Sequence, residues 1–401
     1  MSVASLFSDA LMSSPHEEFR RLRAAAAVHE DRTPDGEPVW VITRYAEARD
    51  ALADQRLSLN KANARTSGQY QSSMPPELDA HLLNMDAPDH TRLRRLVSKA
   101  FTPRRVDGLR FRIQQRVDEL LDACPRPAFD LMSALAEPLP MTVICDLLGI
   151  PAEDRRDFRA WTSSLMSPRP GAAAESRAAM RDMYEFLLGI LAHKRLHPTD
   201  DLLSDLLASH DEHDRLTEAE LVSLSFLLLF AGYDNAVHLI GNAVLGLLLQ
   251  PEHWKALGCG GLPPRLVIEE TLRWNPPFPL AVRRFALQDL AIDGVSIPAG
   301  GRIWVALISA NRDEAQFESP DEFNPYRTAA HLSFGHGAHY CLGAPLARLE
   351  AEIALTTLVR RRPDLALAAH PDELRWWPSF HKRGLQELPA RWSCSPRRQR
   401  R

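Results

Sequence analysis

A mainly α fold with a minor β sheet is predicted by three observations. Apolar residues recur at helical spacing through much of the 401-residue chain, most clearly from Thr217 to Gln250 and from Leu342 to Leu358. Alternating runs suited to strands are short and few, such as Pro38 to Thr43, and Ile292 to Leu307 with a turn signal at Asp293-Gly294. A composition of 45% hydrophobic and 25% charged residues is that of an ordinary globular chain, long enough to bury an extensive core and, on length alone, to form two or three domains.

Charge and cysteine usage narrow the function. A formal net charge of −4 argues against a nucleic-acid partner held by bulk electrostatics. Five cysteines, scattered and without C-x-x-C spacing, fit a reducing cytoplasm. The opening MSVASLFSDALMSSPHEEF has no basic segment leading into an apolar core, so neither a signal peptide nor a membrane anchor is expected. Residues 393–401 (SCSPRRQRR) read as a solvated basic tail.

Taken in order, Pro38 to Thr43 suits a strand and Tyr45 to Asp54 a helix. Ser58 to Pro76, with Gln69, Tyr70, Ser72 and Ser73, is polar and turn-rich; it reads as a long loop of the kind that often serves as a lid. A helix starts at Asp89 and carries Arg92, Arg94 and Arg95, on the plainest reading a solvated cationic face. Asp118 to Ile150 is helical in pattern, and a further helix capped near Pro151 runs to Met166. SPRPGAAA, Ser167 to Ala174, breaks the pattern as either a hinge or an ordinary surface turn.

Thr217 and Glu220 form a capping box for the run to Gln250, which is apolar enough to be buried nearly all round. Asp234, Asn235, His238 and Asn242 interrupt that run, so it is not read as a transmembrane span. Buried polar groups of this kind need a partner or a job. Gly258 to Pro264 is a loop, and Val267 to Trp274 resumes a helix in which Glu270 and Arg273 stand at the i, i+3 spacing of a surface ion pair. Asn275 to Val282 is extended, with Leu280, Ala281 and Val282 following its prolines.

The segment from Ser333 to Glu350, SFGHGAHYCLGAPLARLE, holds the residues with the most chemistry. Gly335, Gly337 and Gly343 permit close approach of the backbone to a bulky group. Cys341 stands at or just before a helix N-terminus, where the dipole and unpaired N–H groups favour a thiolate. A lone cysteine is commonly only a small buried hydrophobe. As a ligand, a single thiolate suits haem iron better than structural zinc, which wants four ligands.

The run Phe334-Gly335-x-Gly337-x-His339-x-Cys341-x-Gly343 resembles, position by position, the cysteine loop of the cytochrome P-450 family. Further motifs follow in family order from His90 to about Trp392. The resemblance implies a triangular, single haem-thiolate domain over residues 1–392, with a long central helix over haem b. It makes Cys341 the axial iron ligand, with Phe334 and Gly343 beside the sulfur. His90, Arg94, Arg284 and His339 become donors to the haem propionates, and arginine's planar fork suits a carboxylate. Glu270, Arg273 and Arg327 match a structural network that holds the cysteine loop. Gln69, Tyr70, Leu280, Ala281, Val282 and Phe380 would contact substrate, with His381 beside them, although aromatic residues at such a turn also serve packing alone.

The same resemblance implies a soluble bacterial enzyme, monomeric and cytoplasmic, that oxidises a small natural product with dioxygen and electrons from a ferredoxin and ferredoxin reductase. The remaining cations near Arg94, with Arg104, Arg105 and Arg348, would form a positive patch for that acidic donor. Ala231-Gly232-Tyr233-Asp234-Asn235 falls where the family has its oxygen-activating segment: Gly232 gives dioxygen room and Asp234 matches the acid of an acid–alcohol pair. The alcohol is replaced by Asn235, whose amide has no readily transferred proton. That departure admits proton supply by water or by the substrate. It also admits oxidative coupling of an aromatic compound, such as an indole- or phenol-bearing cyclic dipeptide, peroxide-driven turnover, or haem binding without turnover.

Overall fold

Helices form the body of the molecule and short strands its edge, in a computed structural model that describes residues 6–8, 11, 13–33, 36–64, 75–98, 101–124, 127–166, 173–208 and 216–392. The strands are β1 (Val28–Arg32), β2 (Pro38–Ile42), β3 (Leu57–Ser58), β4 (Ala128–Asp130), β5 (Arg284–Ala286), β6 (Leu290–Ile292), β7 (Val295–Ile297), β8 (Arg302–Val305), β9 (Ala366–Leu367) and β10 (Pro389–Arg391). One sheet has the order β1-β2-β8-β5-β3. In it β2 runs parallel to β8, with Val39 opposite Arg302, while the other pairs are antiparallel. The sheet therefore joins the two ends of the sequence. Both residues of the β6–β7 turn adopt positive φ, 46° at Asp293 and 77° at Gly294, as the expected tight hairpin demands.

The main helices are α1 (Pro15–Ala25), α2 (Tyr45–Ala53), α3 (Asp89–Ser98), α4 (Arg110–Ala123), α5 (Pro138–Leu148), α6 (Arg155–Met166), α7 (Ala173–Leu196), α8 (Glu218–Leu249), α9 (Pro264–Trp274) and α10 (Ala344–Arg361). α8 is the axis of the core. Its capping box is formed as expected: the Thr217 hydroxyl accepts from the Glu220 N–H at 3.2 Å, and the Glu220 carboxylate accepts from the Thr217 N–H at 2.8 Å. Nearly every residue from Leu221 to Leu247 apart from a short stretch around Ala231 is buried, against α5, α7, α9 and α10. Among the described residues α8 alone is long and apolar enough to cross a membrane, and most of it is enclosed by the protein, as in a core helix.

The continuous helix expected from Asp118 to Ile150 is interrupted. α4 stops at Ala123, and the chain enters β4, which pairs with β10. Pro127 cannot donate a helical hydrogen bond, and Phe129 is drawn against Trp392, with ring centroids 4.8 Å apart. A wide helical turn at Met132–Ala136 then leads into α5. Most of the expected lid, with Gln69 and Tyr70, lies outside the described residues, as do most of the SPRPGAAA break and the C-terminal tail.

α10 carries a carboxyl in an apolar setting. Glu350 is 2% exposed and its Oε2 has no hydrogen-bond partner. Burial pushes its pKa up to about 8. A carboxyl raised in the folded state favours folding below its ordinary pKa, and that contribution is lost as pH rises through the folded value. Between pH 4.5 and 8 the wild type should therefore lose up to roughly 5 kcal/mol that Glu350→Gln keeps, measured by denaturant unfolding at pH 5 and pH 9.

Candidate functional site

The cysteine loop is shaped by local hydrogen bonds and two left-handed glycines. Gly335 and Gly337 have φ of 76° and 73°, closed to most side chains. The Gly335 N–H donates to the Leu332 carbonyl at 2.7 Å and the Cys341 N–H to the Phe334 carbonyl at 2.8 Å, which folds the loop back on itself. A Cβ on Gly337 would lie 3.1 Å from the Ala53 Cα, so the loop is pressed against the end of α2. α10 begins at Ala344 with Gly343 as its cap, and the Cys341 sulfur accepts from the N–H groups of Gly343 and Ala344.

Solvent reaches Cys341, yet protein surrounds it on nearly every side. Both hold if the sulfur faces an internal recess. Burial pushes the free thiol above its ordinary pKa, against the two N–H groups and the charges of Arg94 and Arg348. On α8, Ala231 and Asn235 stand one turn apart and are accessible to solvent within a largely buried helix.

A group of donors gathers beside the sulfur. His90 and Arg94 share one face of α3. Arg94 donates to the Tyr340 carbonyl at 2.6 Å, and the His90 and His339 rings lie 3.9 Å apart. Nε2 of His90 and Nδ1 of His339 are buried without a hydrogen-bond partner. Burial, with Arg94, lowers the pKa of His90; burial, with His90 and Arg284, brings His339 down to about 3. Arg284 is 4% exposed, and among the described residues its guanidinium donates to the carbonyls of Val282 and Leu52 alone. Burial lowers it to about 10, with Asp86 acting in the opposite direction. Buried donors without acceptors on this scale call for an anionic partner.

Behind the loop, Glu270 and Arg273 form a two-point pair at 2.8 Å on α9, and Arg327 reaches the same carboxylate at 3.4 Å. Arg273, 1% exposed, also donates to the carbonyls of Asn311, Pro320 and Glu322. The Asn311 side chain bonds the Leu332 N–H at 2.8 Å and the Ser333 hydroxyl at 2.7 Å, so the network ends on the first residues of the cysteine loop. On the other flank Glu269 binds Arg348 at 2.6 and 2.9 Å and His331 at 3.1 Å, while Arg348 lies 4.5 Å from the centre of the Phe334 ring. Burial works against ionisation of Glu269, but Arg348 and His331 outweigh it and hold the carboxyl at about 2.

Sequence reasoning missed Glu269, Asn311 and His331. It also read Arg348 as part of an open positive patch, whereas Arg348 pairs with Glu269, Arg92 with Glu220 and Arg105 with Asp205. Three cations of that patch are thus largely neutralised.

The other expected site residues are divided. Asp234 is buried on α8, while the Asn235 amide bonds back to the Ala231 carbonyl at 3.4 Å. The side of Gly232 where a Cβ would stand faces the Ile144 side chain of α5 at 3.0 Å, a packing contact. Leu280 and Ala281 are buried, Leu280 in a cluster with Phe7 and Trp304, and Val282 is half-buried. Phe380 packs edge-on to Phe7 and Trp304 and lies 4.1 Å from the His381 ring. His381 combines solvent access with close enclosure, as Cys341 does.

Comparison with known proteins identifies the family. The cytochrome P450 model matches residues 265–362. The chain is 44% identical over 398 residues to cytochrome P450 107B1 of Saccharopolyspora erythraea, covering 96% of each protein. This chain belongs to the cytochrome P450 family. It is also 43% identical to the cytochrome P450 monooxygenase PikC of Streptomyces venezuelae, over 95% of this chain and 91% of PikC. The solved structure of the Bacillus subtilis P450 PksS superposes with a TM-score of 0.91 at 36% identity, covering 96% of this chain and 98% of that one. The molecule is thus a bacterial-type P450 monooxygenase whose cofactor is haem b. The donor set fits that cofactor: the accessible Cys341 thiol would suit the iron, and His90, Arg94, Arg284 and His339 beside it would suit its two carboxylates.

Removing one member of the Glu270 network should be costly, because it strands a buried charge. Arg273→Ala should destabilise this P450 by ~3–5 kcal/mol in denaturant unfolding. Haem retention should fall in parallel, as the anchor of Leu332 and Ser333 loosens.

Proposed function

We propose that this P450 inserts oxygen into a small natural product of secondary metabolism, using electrons from a ferredoxin and its reductase. Support comes from the relatives, among them the 6-deoxyerythronolide B hydroxylase of Saccharopolyspora erythraea, 37% identical over 97% of this chain, and a P450 solved with tirandamycin C bound, 42% identical. A polyketide-derived substrate is the class those names favour. The setting proposed is the cytoplasm of a bacterial cell.

Haem b bound through Cys341 supplies the reductive activation of dioxygen. The chain's own residues do the rest. His90, Arg94, Arg284 and His339 would hold the two carboxylates of the haem. The N–H groups of Gly343 and Ala344 and the nearby cations stabilise charge on the sulfur. Asp234 is the proton-carrying acid, and Asn235 orients water through its amide without giving up a proton of its own. Val282, Phe380 and His381 face the substrate.

A second reading rests on Asn235: with the alcohol missing and the amide turned back to Ala231, proton supply is restricted, which favours one-electron coupling of an aromatic substrate over insertion. Holoenzyme supplied with NAD(P)H, ferredoxin, reductase, labelled dioxygen and a panel of macrolactones and aromatic cyclic dipeptides separates the two. Label in the product supports insertion; an unlabelled coupled dimer supports the second reading. Cys341→Ala should abolish the thiolate-type absorbance of the reduced carbon monoxide complex, and an undiminished band would overturn the assignment of the ligand.

A further inference from the structure

Three polar residues repeat at i, i+4, i+8 along one face of α8: Asp234, His238 and Asn242. All are buried, at 7%, 3% and 0% exposure. The face is packed against the turn from Lys382 to Gly384. Asn242 donates to the carbonyls of Arg383 and Asn275, both at 3.0 Å, which gives its amide nitrogen a structural role while its Oδ1 is left without a partner among the described residues. His238 has no such role. Among the described residues neither of its ring nitrogens has a hydrogen-bond partner, and the Asp234 Oδ2, also without one, stands 3.5 Å from Nε2. A Cβ at Gly384 would fall inside the imidazole, so residue 384 is the glycine that lets this ring sit where it does.

Keeping an unsatisfied histidine in a helix core is expensive, and an apolar residue would pack there without that cost. We propose that His238 is a positioning residue for Asp234: its Nε2–H faces Oδ2 and holds the carboxyl group in one orientation, the anchoring that Asn235 does not provide.

Other charged groups face the pair. Lys382, buried on the packed turn with its Nζ 4.3 Å from the centre of the Trp377 ring, adds positive charge to Asp234. Glu137, just before α5, offsets Lys382, while Arg159 of α6 and Glu137 act on Tyr233, the neighbour of Asp234. Burial works against the Asp234 carboxylate, and His238 with Lys382 outweighs it, so its pKa lies below the ordinary value. Nδ1 lies against the Gly384 backbone, which leaves Nε2 as the nitrogen that carries the proton toward the acid.

This inference rests on Asp234 being the proton-carrying acid, and the two are tested apart. The infrared carboxyl band of ferric holoenzyme that disappears in Asp234→Asn reports the acid directly, without turnover. In His238→Leu its protonation midpoint should move up by about one pH unit, and in His238→Gln, which keeps a donor, it should return toward wild type. Gly384→Ala, which displaces the ring without removing it, should shift the band in the same direction as His238→Leu and serves if that variant does not fold. With a plant-type ferredoxin and its reductase, peroxide formed per reductant consumed should rise severalfold in His238→Leu and recover in His238→Gln, while the reduced carbon monoxide spectrum stays unchanged. A midpoint that does not move in His238→Leu or Gly384→Ala makes His238 mere packing and overturns the proposal. Unchanged peroxide formation in Asp234→Asn would instead overturn the reading of the acid itself.

Discussion

The two-point ion pair between Glu270 and Arg273 is the interaction on which the geometry of this enzyme depends. A buried ion pair is not in itself a strong stabiliser, since desolvation takes back most of what attraction gives. Its value here is directional. Once Glu270 fixes the guanidinium, Arg273 presents its remaining donors to three backbone carbonyls on a segment without regular structure, and Asn311 passes that constraint to Leu332 and Ser333. A glycine-rich loop cannot hold its own shape, because glycine has the most conformational entropy to lose. Rigidity is supplied from behind by α9, through Glu270 on one flank and Glu269 on the other.

What the sequence showed clearly were the features whose chemistry is local. The capping box at Thr217, the tight turn at Asp293-Gly294 and the start of α10 just after Cys341 are each decided within a few residues, and each stands where the spacing placed it. Long-range pairs were not legible. Nothing near Arg348 announces that Glu269, almost 80 positions earlier, will bind it, so a guanidinium that holds the cysteine loop read as a surface charge. β4 was hidden for a related reason: its partner β10 lies near the far end of the chain, and apolar residues in a short strand look like a continuing helix. Likewise no periodicity could say that Leu280 turns into a cluster with Phe7 and Trp304 rather than toward the recess.

α8 shows where local rules give way. Its surface is apolar almost throughout, as a central helix requires, and three of its buried polar residues, Asp234, His238 and Asn242, lie within three turns of one another. Asn242 is explained by two hydrogen bonds to backbone, whereas Asp234 and His238 have only each other and the charge of Lys382. Natural sequences keep such local inconsistencies chiefly at functional sites, and this one adjoins the segment where Asn235 departs from the family pattern.

The cysteine loop leans on the whole length of the polypeptide. Gly337 rests on Ala53, Arg94 grips Tyr340, Arg284 donates to Leu52, and the ring of donors is complete only with His339. These contacts join segments far apart in the chain: Cys341 is translated some 250 residues after His90. The cluster of donors beside Cys341 can therefore be complete only once synthesis has passed that residue, with most of the chain already made.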